Sequence, residues 1–210
     1  HADIPDERLR QIAATAPELG DFSNRFPFAG ETGPALATTE QMLVARTWQP
    51  SLEVTGMEGA PPPAEAGNVL RPSTAVKLSV RIPPTADAAV AIDAIERRLS
   101  ADPPYGARVT VQRGSAEAGW HAPPELPWLA KAIDRASVAA FGQAPRSLGE
   151  GGTIPFMGML GRQFPRAQFV VTGVLGPESN AHGPNEFLHL PTARKVTTAV
   201  THILDAHARR

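Results

Sequence analysis

The 210-residue chain predicts a mixed fold in two units, α+β in the first half and α/β in the second. Three observations predict it. In the first half, alternating apolar segments flank an amphipathic helical stretch. In the second, the nearly continuous apolar run "QFVVTGVLG" lies between helical patterns, as in a strand buried on both faces. Between them "WHAPPELP", Trp120–Pro127, interrupts both periodicities and marks the boundary.

Taken in order, Ile4, Leu9, Ile12 and Ala13 recur at rough helical spacing, with Pro5 suited to a first turn. An irregular segment, "GDFSNRFPFAGETGP", follows. "ATTEQMLVARTW" predicts a helix through about Arg46, capped by Thr38 or Thr39. "SLEVTGMEG" reads as a strand whose Leu52, Val54 and Met57 alternate imperfectly. After a proline-rich loop, "STAVKLSVRIPP" alternates cleanly: Ala75, Lys77, Ser79 and Arg81 on one face, Val76, Leu78, Val80 and Ile82 on the other. "TADAAVAIDAIERRLSA" is an amphipathic helix and "ARVTVQRG" a further alternating strand. An open sheet with helices on one face closes this unit.

The second unit begins with a helix over about 125–141. "LGEGGTIPFM" reads as a strand end, two glycines and a helix start, with Thr153 as cap and Pro155 in the first turn. The apolar strand, a loop holding His182, and a closing helix with Val196, Val200, Ile203 and Leu204 inward complete it.

Composition excludes several classes. Net charge is −1, so no basic field attracts nucleic acid. The absence of cysteine removes disulfides and thiolate metal sites, leaving His, Asp, Glu and backbone oxygen as ligands. No apolar run approaches the roughly 20 residues of a membrane span, and no signal-peptide pattern opens the chain; the expected compartment is the cytoplasm.

A few residues can carry chemistry, each with a plain structural alternative. Gly151, Gly152 and Thr153 lie where a backbone can approach an anion, or simply make a tight turn. His182 lies just after the apolar strand, where α/β sites gather, or is a turn histidine. His202 and His207 do not share a helix face, and His121 and His189 sit in loops near prolines, so no complete zinc spacing occurs. Arg81 ends its strand and is suited to a bidentate grip on a carboxylate, or is a solvated residue. Asn68 offers an amide, or shapes its loop.

In combination, "GNVLRPSTAVKLSVRIPP", "GEGGTIPF" and "NAHGPNEFL" resemble, in order and spacing over nearly the whole chain, the dizinc amidohydrolases and exopeptidases that include carnosinases, carboxypeptidase G and aminoacylase. "TWQPSLEVTGMEG" resembles the strand entering that family's lid, and the carnosinase-like dipeptidases are the branch most similar. The resemblance implies a ferredoxin-like lid or dimerisation domain over residues 1–115, lacking its first strand and helix, and the C-terminal part of an α/β zinc-peptidase catalytic domain over 116–210.

By the same resemblance His182 is a zinc ligand, and Arg81 grips the substrate's terminal carboxylate. Asn68 helps to hold the substrate, Gly151, Gly152 and Thr153 bind its backbone and carboxylate, and Glu150 lies near the site. The implied reaction is hydrolysis of a peptide or amide bond in a dipeptide or acylated amino acid by metal-activated water, with two zinc ions. The other zinc ligands and the general base are not among these residues. The 210 residues alone are therefore expected to be inactive, with an enzyme as the parent protein. The competing expectation is a non-enzymatic module that binds a partner or stabilises an oligomer. A homodimer through the lid is one arrangement the resemblance admits; neither nucleic acid nor membrane is expected as a partner.

Overall fold

The computed structural model describes residues 2–152 and 154–210. They divide into two compact units. One runs to His121 and takes in Leu148–Met159; the other holds Ala122–Ser147 and Leu160–Arg210.

The first unit opens with helix α1 (Asp6–Leu19), whose first turn carries Asp6 and Glu7 where negative charge suits the helix dipole. Pro5 stands just before the helix rather than inside its first turn. Helix α2 (Thr39–Trp48) is capped by Thr38, whose hydroxyl accepts from the Gln41 amide at 3.2 Å. The Gln41 side chain reaches back to the Ala37 amide at 3.2 Å, a variant of the reciprocal capping box. The two helices pack through Ile12, Ala16, Leu43 and Trp48. Leu43 is completely buried, and such burial stabilises by about 1.5–3 kcal/mol.

Two residues after α2 the chain enters strand β1 (Ser51–Glu58), which pairs antiparallel with β2 (Ala75–Arg81). Ser51 opposes Arg81, Val54 opposes Leu78 and Met57 opposes Val76, with a bulge between Val54 and Gly56. The connection closes at Gly59, where φ is +86° and a Cβ would lie 2.5 Å from the Ser73 carbonyl oxygen, so only glycine fits. The apolar face of the hairpin is exposed at Leu52, Val54, Met57, Val76 and Val80. Helix α3 (Ala88–Ser100) follows, and one Asp87 carboxylate oxygen caps the Ala89 and Val90 amides at 2.8 and 3.0 Å.

The strand expected over 107–114 does not form. Among the described residues the sheet has two strands only. Arg113 is drawn instead onto α3, pairing with Asp93 at 2.7 Å and with Glu96. An alternating pattern shows how a segment would sit in a sheet; these charge-assisted contacts hold this one beside a helix.

The second unit is built on α4 (Pro127–Phe141) and α6 (Leu190–Ala208), which pack against each other. Leu129, Ala132 and Ala136, at i, i+3 and i+7, are buried on α4. Val196, Val200 and Ile203 are half-buried on α6 as expected. Leu204 is not: it falls beside that stripe and is 64% exposed. Helix α5 (Pro155–Gln163) starts at Pro155, consistent with first-turn tolerance; the cap expected at Thr153 lies outside the described residues. The strand expected over 168–176 is absent. Val171 and Leu175 are exposed, because burial on both faces requires flanking strands and no described segment pairs there. The strand end expected before Gly149 is likewise irregular chain. At the coarse level the fold is mixed α/β with a small two-stranded sheet.

Candidate functional site

Arg81 closes β2 directly opposite Ser51, the first residue of β1, so the hairpin register brings it to the end where α2 arrives. The loop at 149–151 is seated there. A Cβ on Gly149 would lie 2.8 Å from the Thr47 γ-methyl. A Cβ on Gly151 would lie 2.8 Å from the Arg46 carbonyl oxygen and 3.2 Å from Arg81 Nη1. All three contacts are tighter than a real Cβ accepts comfortably. The two glycines therefore let backbone lie directly on the last turn of α2, with the Arg81 guanidinium alongside Gly151.

Glu150, between them, points its carboxylate at Arg46, with Oε2 2.8 Å from Nη2. Arg81 itself makes no hydrogen bond or ion pair with any described residue. The structure thus brings Arg81, Glu150 and Gly151 together and adds Arg46, which sequence reasoning missed. Its only signal there was a basic residue in a last helical turn. Gly152 has no atom of the described residues within 4 Å of its Cβ position and is not part of this seat. Thr153 lies outside the described residues. Asn68 is exposed in the hairpin connection, at the centre of a tight turn that the Val69 amide closes onto the Gly67 carbonyl at 2.9 Å. Among the described residues no hydrogen bond joins its side chain to Arg81's surroundings.

His182 belongs to the second unit and stands in a loop of unusual backbone. Glu178, Asn180, His182 and Asn185 all have φ between +52° and +61°. Asparagine tolerates this region; glutamate and histidine do so at a cost of about 1 kcal/mol or more each. The loop is held by its own contacts. Ser179 is buried, and its hydroxyl donates to the Gly176 carbonyl at 2.8 Å and accepts from the Gly176 amide at 3.0 Å. The Asn180 amide donates to the Pro184 carbonyl at 2.6 Å, and the Phe187 amide to the Ser179 carbonyl at 3.2 Å. The Glu186 carboxylate accepts from the His182 backbone amide at 3.0 Å.

The His182 ring is exposed and bonded to no described residue, so both its nitrogens are open. An uncommitted imidazole on a pinned backbone fits a metal-ligand role. Among the described residues no three His, Asp or Glu side chains converge as a metal site. The remaining loop histidines have structural uses. His189 caps α6, its Nδ1 accepting from the Thr192 amide at 3.3 Å. His121 packs edge-on against Trp48, 5.5 Å between ring centroids, and accepts from Arg8 Nε at 3.2 Å. Burial first, and then the Arg8 charge, push the His121 pKa below its ordinary value.

The chain is 28% identical over 153 residues to a cysteinylglycine-S-conjugate dipeptidase from Corynebacterium striatum, covering 72% of the chain and 33% of that protein. The fold matches a M20 family metallo-carboxypeptidase from Sulfolobus solfataricus, with a TM-score of 0.76 and 19% identity over 97% of the chain and 45% of that protein. Its relatives are M20 family metallo-dipeptidases and carboxypeptidases. Human carnosine dipeptidase 1 (TM-score 0.70, 20% identity, 100% of the chain and 44% of that protein) shares the fold. So does the di-peptidase Dug1p from Saccharomyces cerevisiae (TM-score 0.64, 20% identity, 100% and 43%). No protein-family profile matches the chain. The chain spans a third of the curated M20-type relative's length and under half of these solved structures. The resemblance drawn from the three motifs agrees with these matches.

Proposed function

We propose that the chain is the carboxylate-recognising part of a metal-dependent hydrolase. The substrate class is a dipeptide or acylated amino acid with a free carboxylate, cleaved at its peptide or amide bond. The observation that carries this reading is the Arg81 guanidinium, unpaired among the described residues and set beside a loop where glycine leaves the backbone open. An arginine fork binds a carboxylate through two parallel N–H donors, fixing the direction of the substrate as well as holding it. The other end of the substrate is thereby oriented for reaction, the main contribution a binding group makes to rate.

His182 would be one ligand of a zinc centre holding two ions in the whole enzyme. Bound metal supplies carbonyl polarisation and an activated water in such hydrolases. Within this chain the Glu186 carboxylate holds the His182 backbone, and the open ring nitrogens remain for coordination. We assign residues 1–115 to a ferredoxin-like lid, where a homodimer would form. Residues 116–210 are assigned to the C-terminal part of the catalytic domain, with Asn68, Gly152 and Thr153 contributing to substrate contact and the cytoplasm as the compartment. No helix of the described residues is long and apolar enough to cross a membrane.

The test is dipeptide hydrolysis by the longest natural form of the protein, before and after chelation and zinc restoration, with Arg81→Met alongside. We expect zinc-dependent turnover and a Michaelis constant at least about tenfold higher in the variant, from loss of a charge-assisted fork. An unchanged constant removes Arg81 from the site. A second reading, a carboxylate-binding module without hydrolysis, is favoured by the lack of converging metal ligands among the described residues. Carboxylate binding with no turnover after zinc restoration would select it.

A further inference from the structure

We propose that Arg46 is a positioning residue that keeps the Glu150 carboxylate off Arg81, leaving the Arg81 guanidinium open to a ligand's carboxylate. The inference rests on the proposed role of Arg81 and adds a residue to it. Glu150 is covalently next to Gly151, and Gly151's Cβ position is 3.2 Å from Arg81 Nη1. Adjacent Cα atoms are about 3.8 Å apart, so chain connectivity holds the Glu150 carboxylate within side-chain reach of Arg81. An intramolecular carboxylate at that distance competes with any carboxylate arriving from solution, because its effective concentration is far higher.

The structure resolves this competition through α2. Gly149 rests on Thr47, and Gly151 on the Arg46 carbonyl and Cγ. With the residues on either side lying against the helix, Glu150 is directed at Arg46 Nη2, 2.8 Å away. The Arg46 guanidinium satisfies the protein's own carboxylate, and the Arg81 guanidinium has no partner among the described residues, although Gly151 lies against the Arg46 carbonyl and Cγ as well as against Arg81 Nη1. The Arg46–Glu150 pair is 39% and 63% exposed, so it is a weak pair and the choice between the two arginines is finely set. Removing Arg46 leaves Glu150 one guanidinium within reach instead of two.

The experiment uses the 210-residue chain, labelled with ¹⁵N and titrated at low salt with N-acetylglycine. N-acetylglycinamide, which lacks the carboxylate, is the control, and the Gly151 amide and Arg81 Nε–H signals are the reporters. We expect the unaltered chain to prefer the acid over the amide. Arg46→Met should weaken acid binding about three- to fivefold, the scale of one exposed ion pair, and leave the amide unchanged. Arg46→Gln, a polar replacement, gives the same result if the Met variant does not fold. Arg46→Lys keeps a cation for Glu150 and should restore most of the acid's affinity. Arg46→Met/Glu150→Gln should restore it as well, since the competing carboxylate is gone. Unchanged acid affinity in Arg46→Met, or failure of the double variant to recover, overturns the inference while leaving Arg81 in place. A preference for the acid that survives Arg81→Met, or that is absent from the unaltered chain, overturns the role of Arg81 itself, and the inference falls with it.

Discussion

Replacing Gly151 with alanine tests the seat of the 149–151 loop. The added methyl would sit 2.8 Å from the Arg46 carbonyl oxygen and 3.1 Å from Arg46 Cγ, against an ordinary contact of 3.4 Å or more. The shortfall from the carbonyl is about 0.6 Å, and the obstruction is backbone that α2 holds in place. Relief requires the loop to lift, and overpacking of this kind costs about 1–3 kcal/mol. The loop is exposed on its other side, so we expect the lower end, about 1 kcal/mol, or a fall of roughly 2–4 °C in thermal midpoint for a chain of this length. Gly152→Ala is the internal control. Among the described residues nothing lies within 4 Å of its Cβ position, and its φ is not positive. There alanine should be neutral or raise stability by up to about 1 kcal/mol, through the less flexible unfolded chain. Circular dichroism melts of the two variants side by side decide the matter. Equal losses in both, or no loss in Gly151→Ala, would refute the seating of Gly151 on Arg46.

Two further outcomes follow from the first unit. Leu43→Ala should destabilise it by about 2–5 kcal/mol, since the side chain is fully buried between α1 and α2; denaturant unfolding followed by tryptophan fluorescence, to which Trp48 contributes beside Trp120 and Trp128, measures this, and a loss below about 1 kcal/mol would contradict the core described. His121 should make stability pH-dependent. Its folded pKa lies below the unfolded value of 6.5, through burial and then Arg8, with Glu7 opposing. The folded state therefore binds fewer protons there; the stabilisation is present above about pH 6.5 and is lost as pH falls through the folded pKa. Thermal midpoints between pH 7.5 and 5.5 should drop more steeply in the unaltered chain than in His121→Gln, and parallel slopes would count against this.

Local chemistry was legible in the sequence wherever its partners were local. Thr38, one of two threonines read as the cap, announces the start of α2, and the alternation of Val76, Leu78 and Val80 announces β2. Segments 107–114 and 168–176 failed for a common reason. A strand exists only with a partner, and neither segment's own residues say whether a partner lies beside it. Leu204 failed because one position of error in helical phase turns a side chain from core to solvent. In the candidate site, Arg81 and His182 were singled out as candidates through motif context. The pairing of Arg46 with Glu150 was not, because the two are 104 positions apart. Nor was the left-handed backbone around His182 visible: only Asn180 and Asn185 are residues that favour it, whereas Glu178 and His182 are not.

The bulge in β1 has a consequence for how this hairpin tolerates changes in length. Leu52 and Val54 oppose Val80 and Leu78, and Met57 opposes Val76, so all three lie on one face although Met57 is out of step with the other two in sequence. The extra residue, Thr55, resets the alternation; without it Met57 would fall into step with Leu52 and Val54 and keep the same partner. A single-residue deletion there returns a regular ladder, whereas deletion of Glu53 shifts Leu52 or Val54 to the opposite face. The strand thus carries one position at which an extra residue is accommodated without reshuffling its neighbours, four residues into β1 from the end where Ser51 faces Arg81. Length variation on the far side of Thr55, toward Gly59 and the long connection, leaves the register that sets Arg81 untouched.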